Sequence, residues 1–374
     1  MSVVYDADMM AAGLSGWVAV ESPTSDRDGV NRMMDLVAAE LQGLPVGVER
    51  IAGVNGLGDM LVARAGPDNG EGAILVLSHL DTVHPVGTID HDLPLRREGD
   101  RLYGPGVYDM KGGAYLALQA FKDVAIRGGA RRPVVFLFTP DEEIGSPTSR
   151  GLIEAHAHSA TYALVTEPGR DGGKVVTARK GVGRFEVTIE GRPAHAGARH
   201  ELGRSAIREA AHQILAIESM TDYSRGITTN VGRIRGGTAD NVVPQKVWFT
   251  VDLRVVEPID AERCSDAIKG LSRYDSDCIL TVSGGMNRPP MPPCAANERL
   301  LCHAAECAKQ LGFEIEAVPL TGGGSDGNFT AALGVATLDG LGIDGDGAHT
   351  LSEYGLISSL VPRAHLMARL FETL

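Results

Sequence analysis

Three short apolar runs mark the first half of the chain, and each stops at polar residues. They are GAILVLSHLD (Gly72 to Asp81), PVVFLFTPDEE (Pro133 to Glu143) and TYALVTEP (Thr161 to Pro168). Apolar runs of this length, without alternation, predict strands buried on both faces of a sheet. Between the first two, Tyr115, Leu118 and Lys122 fall at helical spacing and predict a helix over about 111–127. Strands alternating with helices indicate an α/β domain with a parallel sheet.

The pattern changes near Arg179. In GRFEVTIE, Phe185, Val187 and Ile189 alternate strictly with polar positions, which predicts a strand over 183–190 with one face open to water. A helix over about 204–219, strands over 227–234 and 246–255, a helix over about 261–273 and a strand over 278–283 follow. That β-α-β-β-α-β order is the ferredoxin-like arrangement. PPMPP, from Pro289 to Pro293, reads as a linker, and from Asn297 the earlier pattern resumes. The expectation is an α/β domain in two parts, 1–178 and 289–374, interrupted by an α+β insert over 179–288.

Composition narrows the function classes. The 374 residues are 43% hydrophobic and 22% charged, the balance of a globular protein of two or three domains. No apolar run approaches the ~18 residues of a membrane span, and the opening MSVVYDADMMAAG lacks the basic-then-apolar order of a secretory signal. Five cysteines, none in a Cys-x-x-Cys pair, argue against a disulfide framework and for a cytoplasmic setting. The net charge of −13 speaks against nucleic acid as a partner. The charge is uneven: residues 179–288 hold 16 Lys and Arg against 14 Asp and Glu, and the remainder 19 against 34. The acidity therefore belongs to the α/β part, where clustered carboxylates can attract cations.

The chemistry lies where the strands stop. The first run ends at His79 and Asp81, the second at Glu142 and Glu143, the third at Glu167. Ligand sites in open α/β sheets lie beyond the carboxyl ends of the strands. Asp109 adds a carboxylate from the loop GPGVYDMKGG, and His349 a second imidazole from GAHT. Taken singly, each has a bland reading: a capping histidine, a solvated helix start, a turn. Taken together, two histidines and several carboxylates at one sheet edge suit a hydrolytic divalent metal, zinc first, with cobalt or manganese as alternatives. A rival lies in Gly323-x-Ser325-x-Gly327, the nucleophile-elbow pattern of serine hydrolases, with Asp339 or Asp344 and His349 as partners. Only 49 residues follow Ser325, which is cramped for that fold.

The stretches SHLDTVHP, YGPGVYDMKGG, TPDEEIGS, VTEPG, GRPAHAG, NVVP and GAHTLSEY resemble the M20 family of metallopeptidases and deacylases, nearest to its glutamate carboxypeptidase branch. The resemblance implies a di-zinc aminopeptidase-like catalytic domain carrying a ferredoxin-like lid through which the protein forms a homodimer. It implies that Asp109 bridges two zinc ions, that His79 and Glu167 complete one site and Glu143 and His349 the other, and that Glu142 is the general base. It also implies a cis peptide between Asp109 and Met110. Asp81, two residues after His79 on the same strand face, is expected to accept the other imidazole N–H. His195 of GRPAHAG is implied to reach a partner subunit's active site as an oxyanion donor. Asn241, Arg288 and Lys174 match substrate-contacting positions, and Arg254, on the polar face of its strand, is a further cation for a substrate carboxylate. Around Ser325 and Gly327 the branch tends to carry threonine and alanine, a departure that bears on the specificity pocket. The expected reaction is release of a C-terminal, glutamate-like amino acid from a small peptide or N-acyl substrate. The runner-up is an N-acyl-amino-acid deacylase of the acetylornithine or succinyl-diaminopimelate type.

Overall fold

The structure is a computed structural model that describes residues 5–374. It divides into two compact units: one comprises the described residues up to Ala178 with 293–321 and 325–374, the other 179–292 with 322–324.

The first unit is built on a six-stranded sheet. Its order from one edge is Gly47–Ile51, Met60–Ala65, Val134–Thr139, Ala73–His79, Ala160–Val165, Ala336–Leu338. The last four strands run parallel, whereas Met60–Ala65 is antiparallel to both of its neighbours. The three strands read from the sequence are parallel to one another, and the antiparallel strands beside them make the sheet mixed. All seven residues of Ala73–His79 are buried. Successive side chains serve opposite faces. Ile74 and Val76 join a core with Phe136, Phe138 and Leu118, while Leu75 and Leu77 join a second core with Leu137, Ile153 and Phe329. Each strand end is thereby held between two packed layers, the rigidity a site at that edge needs.

The helix Gly112–Arg127 stops at Gly128, whose left-handed φ of 62° suits glycine at a helix end. Its first turn lies close to the sheet: a Cβ on Gly113 would meet the Thr166 carbonyl oxygen at 1.9 Å. Only glycine permits that approach. Among the described residues no helix is long and apolar enough to cross a membrane, and all five cysteines are free.

The second unit is a four-stranded antiparallel sheet in the order Thr228–Gly236, Lys246–Val255, Gly181–Glu190, Ile279–Arg288. That order, with helices Ala206–Glu218 and Pro258–Lys269 in the connections, is the ferredoxin-like topology. The alternation read from the sequence sorts the faces. Phe185, Val187 and Ile189 meet Phe249 and Val251 in the core beneath the helices, while Trp248, Thr250, Asp252 and Arg254 are only half-buried. Ser205 caps the first of these helices by accepting from the Arg208 N–H, and Pro258 begins the second, where its missing N–H costs nothing. The unit's two chain ends are tied together: Arg179 and Met291 exchange both backbone hydrogen bonds, at 2.8 and 3.0 Å.

Candidate metal centre

Two groups of three side chains converge beyond the carboxyl ends of the parallel strands. His79, Asp109 and Glu167 form one; Asp109, Glu143 and His349 form the other. Within each, the ligand atoms lie within 4.8 Å of one another. Asp109 belongs to both and divides its oxygens between them. Its Oδ1 is 3.4 Å from His79 Nε2, and its Oδ2 is 3.3 Å from His349 Nε2. Glu167 Oε1 lies 3.8 Å from His79 Nε2, and Glu143 Oε2 lies 3.2 Å from His349 Nε2. The Asp109–Met110 peptide is cis, as the resemblance implies, and His349 sits at φ 63°, a left-handed conformation uncommon outside glycine.

The surroundings crowd negative charge into little water. Burial pushes the Glu143 carboxyl up to about 8, and the Asp109 charge adds to the effect. Burial likewise holds Glu167 well above the usual range, with Asp109 and Glu142 contributing. Burial works against the charged form of Asp109 too, yet the imidazoles of His349 and His79 hold it far below the usual range. The Asp109 and Glu143 carboxylates raise His349 to about 10. A divalent cation relieves this crowding, and the donors fit one. His79 Nε2 and Glu143 Oε1 are buried without a hydrogen-bond partner, which buried polar atoms seldom are unless something else satisfies them. Imidazole nitrogen with carboxylate oxygen is a donor set for zinc, cobalt or manganese.

Asp81 is fully buried, and its surroundings correct the expected contact. His79 Nδ1 lies 2.9 Å from the main-chain oxygen of Asp81, and the Asp81 carboxylate is farther, at 3.4 Å. The carboxylate instead accepts from the N–H groups of Glu142 at 3.1 Å and Glu143 at 3.2 Å, and from the Thr24 hydroxyl at 2.6 Å. Asp81 thus fixes the backbone that presents both glutamates. Glu142 itself is half-buried, and its side chain joins neither group.

Among the other expected site residues, Lys174 pairs with Glu316 at 3.1 Å. The remaining four lie in the second unit. Arg254 forms a two-bond pair with Asp252, at 2.8 and 2.9 Å, and donates to the Gly322 carbonyl. Arg288 is buried. His195 and Asn241 are exposed, on adjoining segments joined by a hydrogen bond from the Ala196 N–H to the Asn241 carbonyl. His195 Nδ1 accepts from the N–H groups of Gly197 and Ala198, so the neutral ring carries its hydrogen on Nε2. Ser325 is fully buried, and its hydroxyl donates to Asp339. A buried serine bonded directly to a carboxylate, with no imidazole on its oxygen, does not form the nucleophile of the serine-hydrolase alternative.

One residue of this region escaped the sequence reading. Glu353 is buried, and its carboxylate accepts from the backbone N–H groups of Gly106, Tyr108 and Asp109, holding the loop that carries Asp109. Its position four residues after His349 in GAHTLSEY was the available signal.

Comparison with known proteins agrees with this geometry. Residues 75–373 match the family model described as peptidase family M20/M25/M40. Carboxypeptidase G2 of Pseudomonas sp. (strain RS-16) is 30% identical over 364 residues, covering 94% of this chain and 86% of that protein. Acetylornithine deacetylase of Myxococcus xanthus is 30% identical over 275 residues, 70% of each chain. In fold, the chain is similar to the crystal structure of aminopeptidase PepT from Bacillus cereus ATCC 10987, with a TM-score of 0.79 at 22% identity, covering 98% of both chains. A match over most of the chain, joined to two histidine–carboxylate groups sharing one aspartate, places this protein in peptidase family M20/M25/M40.

Proposed function

We propose that the protein hydrolyses an amide bond to release a C-terminal amino acid, glutamate-like, from a small peptide or N-acyl substrate, using two zinc ions. The observation that carries the reading is Asp109, which directs one oxygen toward each histidine. Asp109 would serve both metals, with His79 and Glu167 holding one and Glu143 and His349 the other. When bound, two such cations lower the pKa of a shared water and polarise the scissile carbonyl. Glu142 accepts the proton of the attacking water and delivers it to the leaving amine. Asp81 keeps Glu142 and Glu143 in their different roles by holding both backbone N–H groups. His195 reaches the active site of a second copy of the chain and donates its Nε2–H to the developing oxyanion there. Asn241, Arg288, Lys174 and Arg254 contact the substrate, the three cations offering partners for its carboxylates. Similarity to carboxypeptidase G2 over nearly the whole chain supports the carboxypeptidase reading.

The insert is the lid and dimerisation domain in this proposal. Ile207 and Leu215 on the helix Ala206–Glu218, and Ile234 on the neighbouring edge strand, are exposed apolar side chains that a second copy would cover. The setting is the cytoplasm, in keeping with five unpaired cysteines. A second reading, N-acyl-amino-acid deacylation by the same metals with a different pocket, is favoured by the similarity to acetylornithine deacetylase.

A matched panel of N-acyl amino acids, assayed with zinc-loaded protein with and without a chelator, tests the proposal. Chelator-sensitive preference for glutamate or aspartate is the expected result. Preference for acetylornithine-like substrates would replace it with the second reading, and turnover that survives complete metal removal would sink both.

A further inference from the structure

We infer that His84 and Glu353 form a buried clasp that positions Asp109 and thereby sets the affinity of both halves of the metal centre. This inference rests on the reading of the two groups as a metal site.

The Glu353 carboxylate has every acceptor position in use. Oε1 accepts from the N–H of Tyr108 at 2.9 Å and of Asp109 at 3.0 Å. Oε2 accepts from the N–H of Gly106 at 3.0 Å and meets His84 Nε2 at 2.9 Å. Glu353 is 1% exposed and His84 6%. An ionised carboxylate offers only acceptors, so the hydrogen between the pair belongs to His84 Nε2. Four charge-assisted hydrogen bonds in so dry a place define one geometry for the loop.

The chain segments involved give the clasp its meaning. His84 lies five residues after His79, and Glu353 four residues after His349. The three backbone donors belong to the loop that ends at Asp109. One side-chain pair thus joins the segments bearing both histidines to the segment bearing the shared aspartate. Within the loop the Val107 N–H bonds the Gly104 carbonyl, the Lys111 N–H the Gly106 carbonyl and the Gly112 N–H the Val107 carbonyl, and the turn is non-helical at Asp109 and Met110. None of these bonds uses the N–H of Gly106, Tyr108 or Asp109. Residues 106–109 present three N–H groups to one point because Glu353 is there to receive them. Neither His84 nor Glu353 offers an atom to the two groups. Both act through Asp109 and are positioning residues.

Outer partners of metal ligands typically account for about 10–100-fold in metal affinity. Glu353→Gln preserves size but replaces one acceptor oxygen by a donor that faces N–H groups. We expect it to weaken zinc binding about 10–100-fold at both sites, because Asp109 serves both. His84→Phe leaves the three backbone bonds and removes the fourth, so a loss of about 10-fold is expected, the lower end of that range. Zinc affinity and stoichiometry are read by competition with a chromophoric chelator, and the d–d absorption of the cobalt-loaded protein reports ligand geometry. Thermal midpoints in excess chelator report folding separately. The clasp is supported if affinity falls and the cobalt spectrum changes while the chelated midpoint of His84→Phe stays near that of the unsubstituted protein. Unchanged affinity for two metals in both variants overturns it, as does a lower chelated midpoint without any change in affinity. Failure of the unsubstituted protein to take up zinc refutes the metal reading itself, a result distinct from either.

Discussion

Glu142 and Glu143 are neighbours in sequence with unlike surroundings. Glu143, its side chain 6% exposed, belongs to a metal-ligand group, whereas the Glu142 side chain belongs to neither group. Asp81 holds the backbone N–H groups of both, one on each carboxylate oxygen. The proposed roles make opposite predictions for metal content. Glu142→Ala should keep two zinc ions and lose turnover by about 10²–10⁴-fold, the usual contribution of a general base. Asp109→Ala should lose both metals, because it removes a ligand common to the two groups. Elemental analysis beside a rate measurement separates the cases, and zinc lost from Glu142→Ala would make that residue a ligand instead. At this scale the sequence is legible where chemistry and strand ends coincide, as at His79 and Glu167. It is faint for Glu353, whose one cue is its place four residues after His349: its backbone partners lie 244 or more positions away, and its neighbours, Ser352 and Tyr354, give no periodic cue. The Asp81 carboxylate was misassigned for a related reason: strand periodicity tells which way a side chain points, not which of several donors is nearest.

Strands with long apolar runs or strict alternation announce themselves, and shorter or patternless ones such as Met60–Ala65 do not. Ala73–His79 and Val134–Thr139 are apolar because both sheet faces are covered, so hydrophobic runs alone locate them. Gly47–Ile51, at the sheet's edge, exposes four of its five residues and carries no such pattern. Met60–Ala65 runs antiparallel to both this edge strand and Val134–Thr139 and so makes the sheet mixed, a feature that no local signal conveyed. The insert was legible because alternation is strong where one face is apolar and the other polar, as along Lys246–Val255. The same logic exposes what is left over on the helix Ala206–Glu218. Its inward positions, Ala206, Ala210 and Ile217, fill the core, yet Leu215 is 71% exposed. If a second copy covers this face, Leu215→Glu should raise the dimer dissociation constant about 100-fold or more, the cost of a desolvated charge. Sedimentation velocity over a concentration series reads the change. A native protein that stays monomeric at every concentration would remove the dimer from the proposal.

The molecule carries its net negative charge on the unit that holds the two metal-ligand groups and nearly balanced charge on the other. It also carries one tryptophan in each. Trp17 is buried in the α/β core, and Trp248 lies on the polar face of the insert's sheet. Replacing either by Phe leaves the other as a reporter of its own unit. Zinc at 100 times its dissociation constant adds about 2.7 kcal/mol to whatever folds around it. In Trp248→Phe protein, the Trp17 unfolding transition should therefore rise with zinc and fall with chelator. In Trp17→Phe protein, the Trp248 transition should move less. Equal shifts at both reporters would mean that the two units unfold as one, and no shift at Trp17 would count against a metal site in the α/β unit.

The pair of hydrogen bonds between Arg179 and Met291 has a consequence for how such a chain can change over generations. More than a hundred residues leave and return through neighbouring positions of a closed ladder. The entropy of bringing an excursion's ends together grows only with the logarithm of its length, and here the excursion's own folding closes it. Seen from the six-stranded sheet, the whole insert is a short loop. Mutations that reshape its outer surface, or exchange it for a relative's, can redraw which molecules are chosen without asking the sheet to fold anew. The sheet that presents the two metal-ligand groups can then stay as it is while the insert's surface varies.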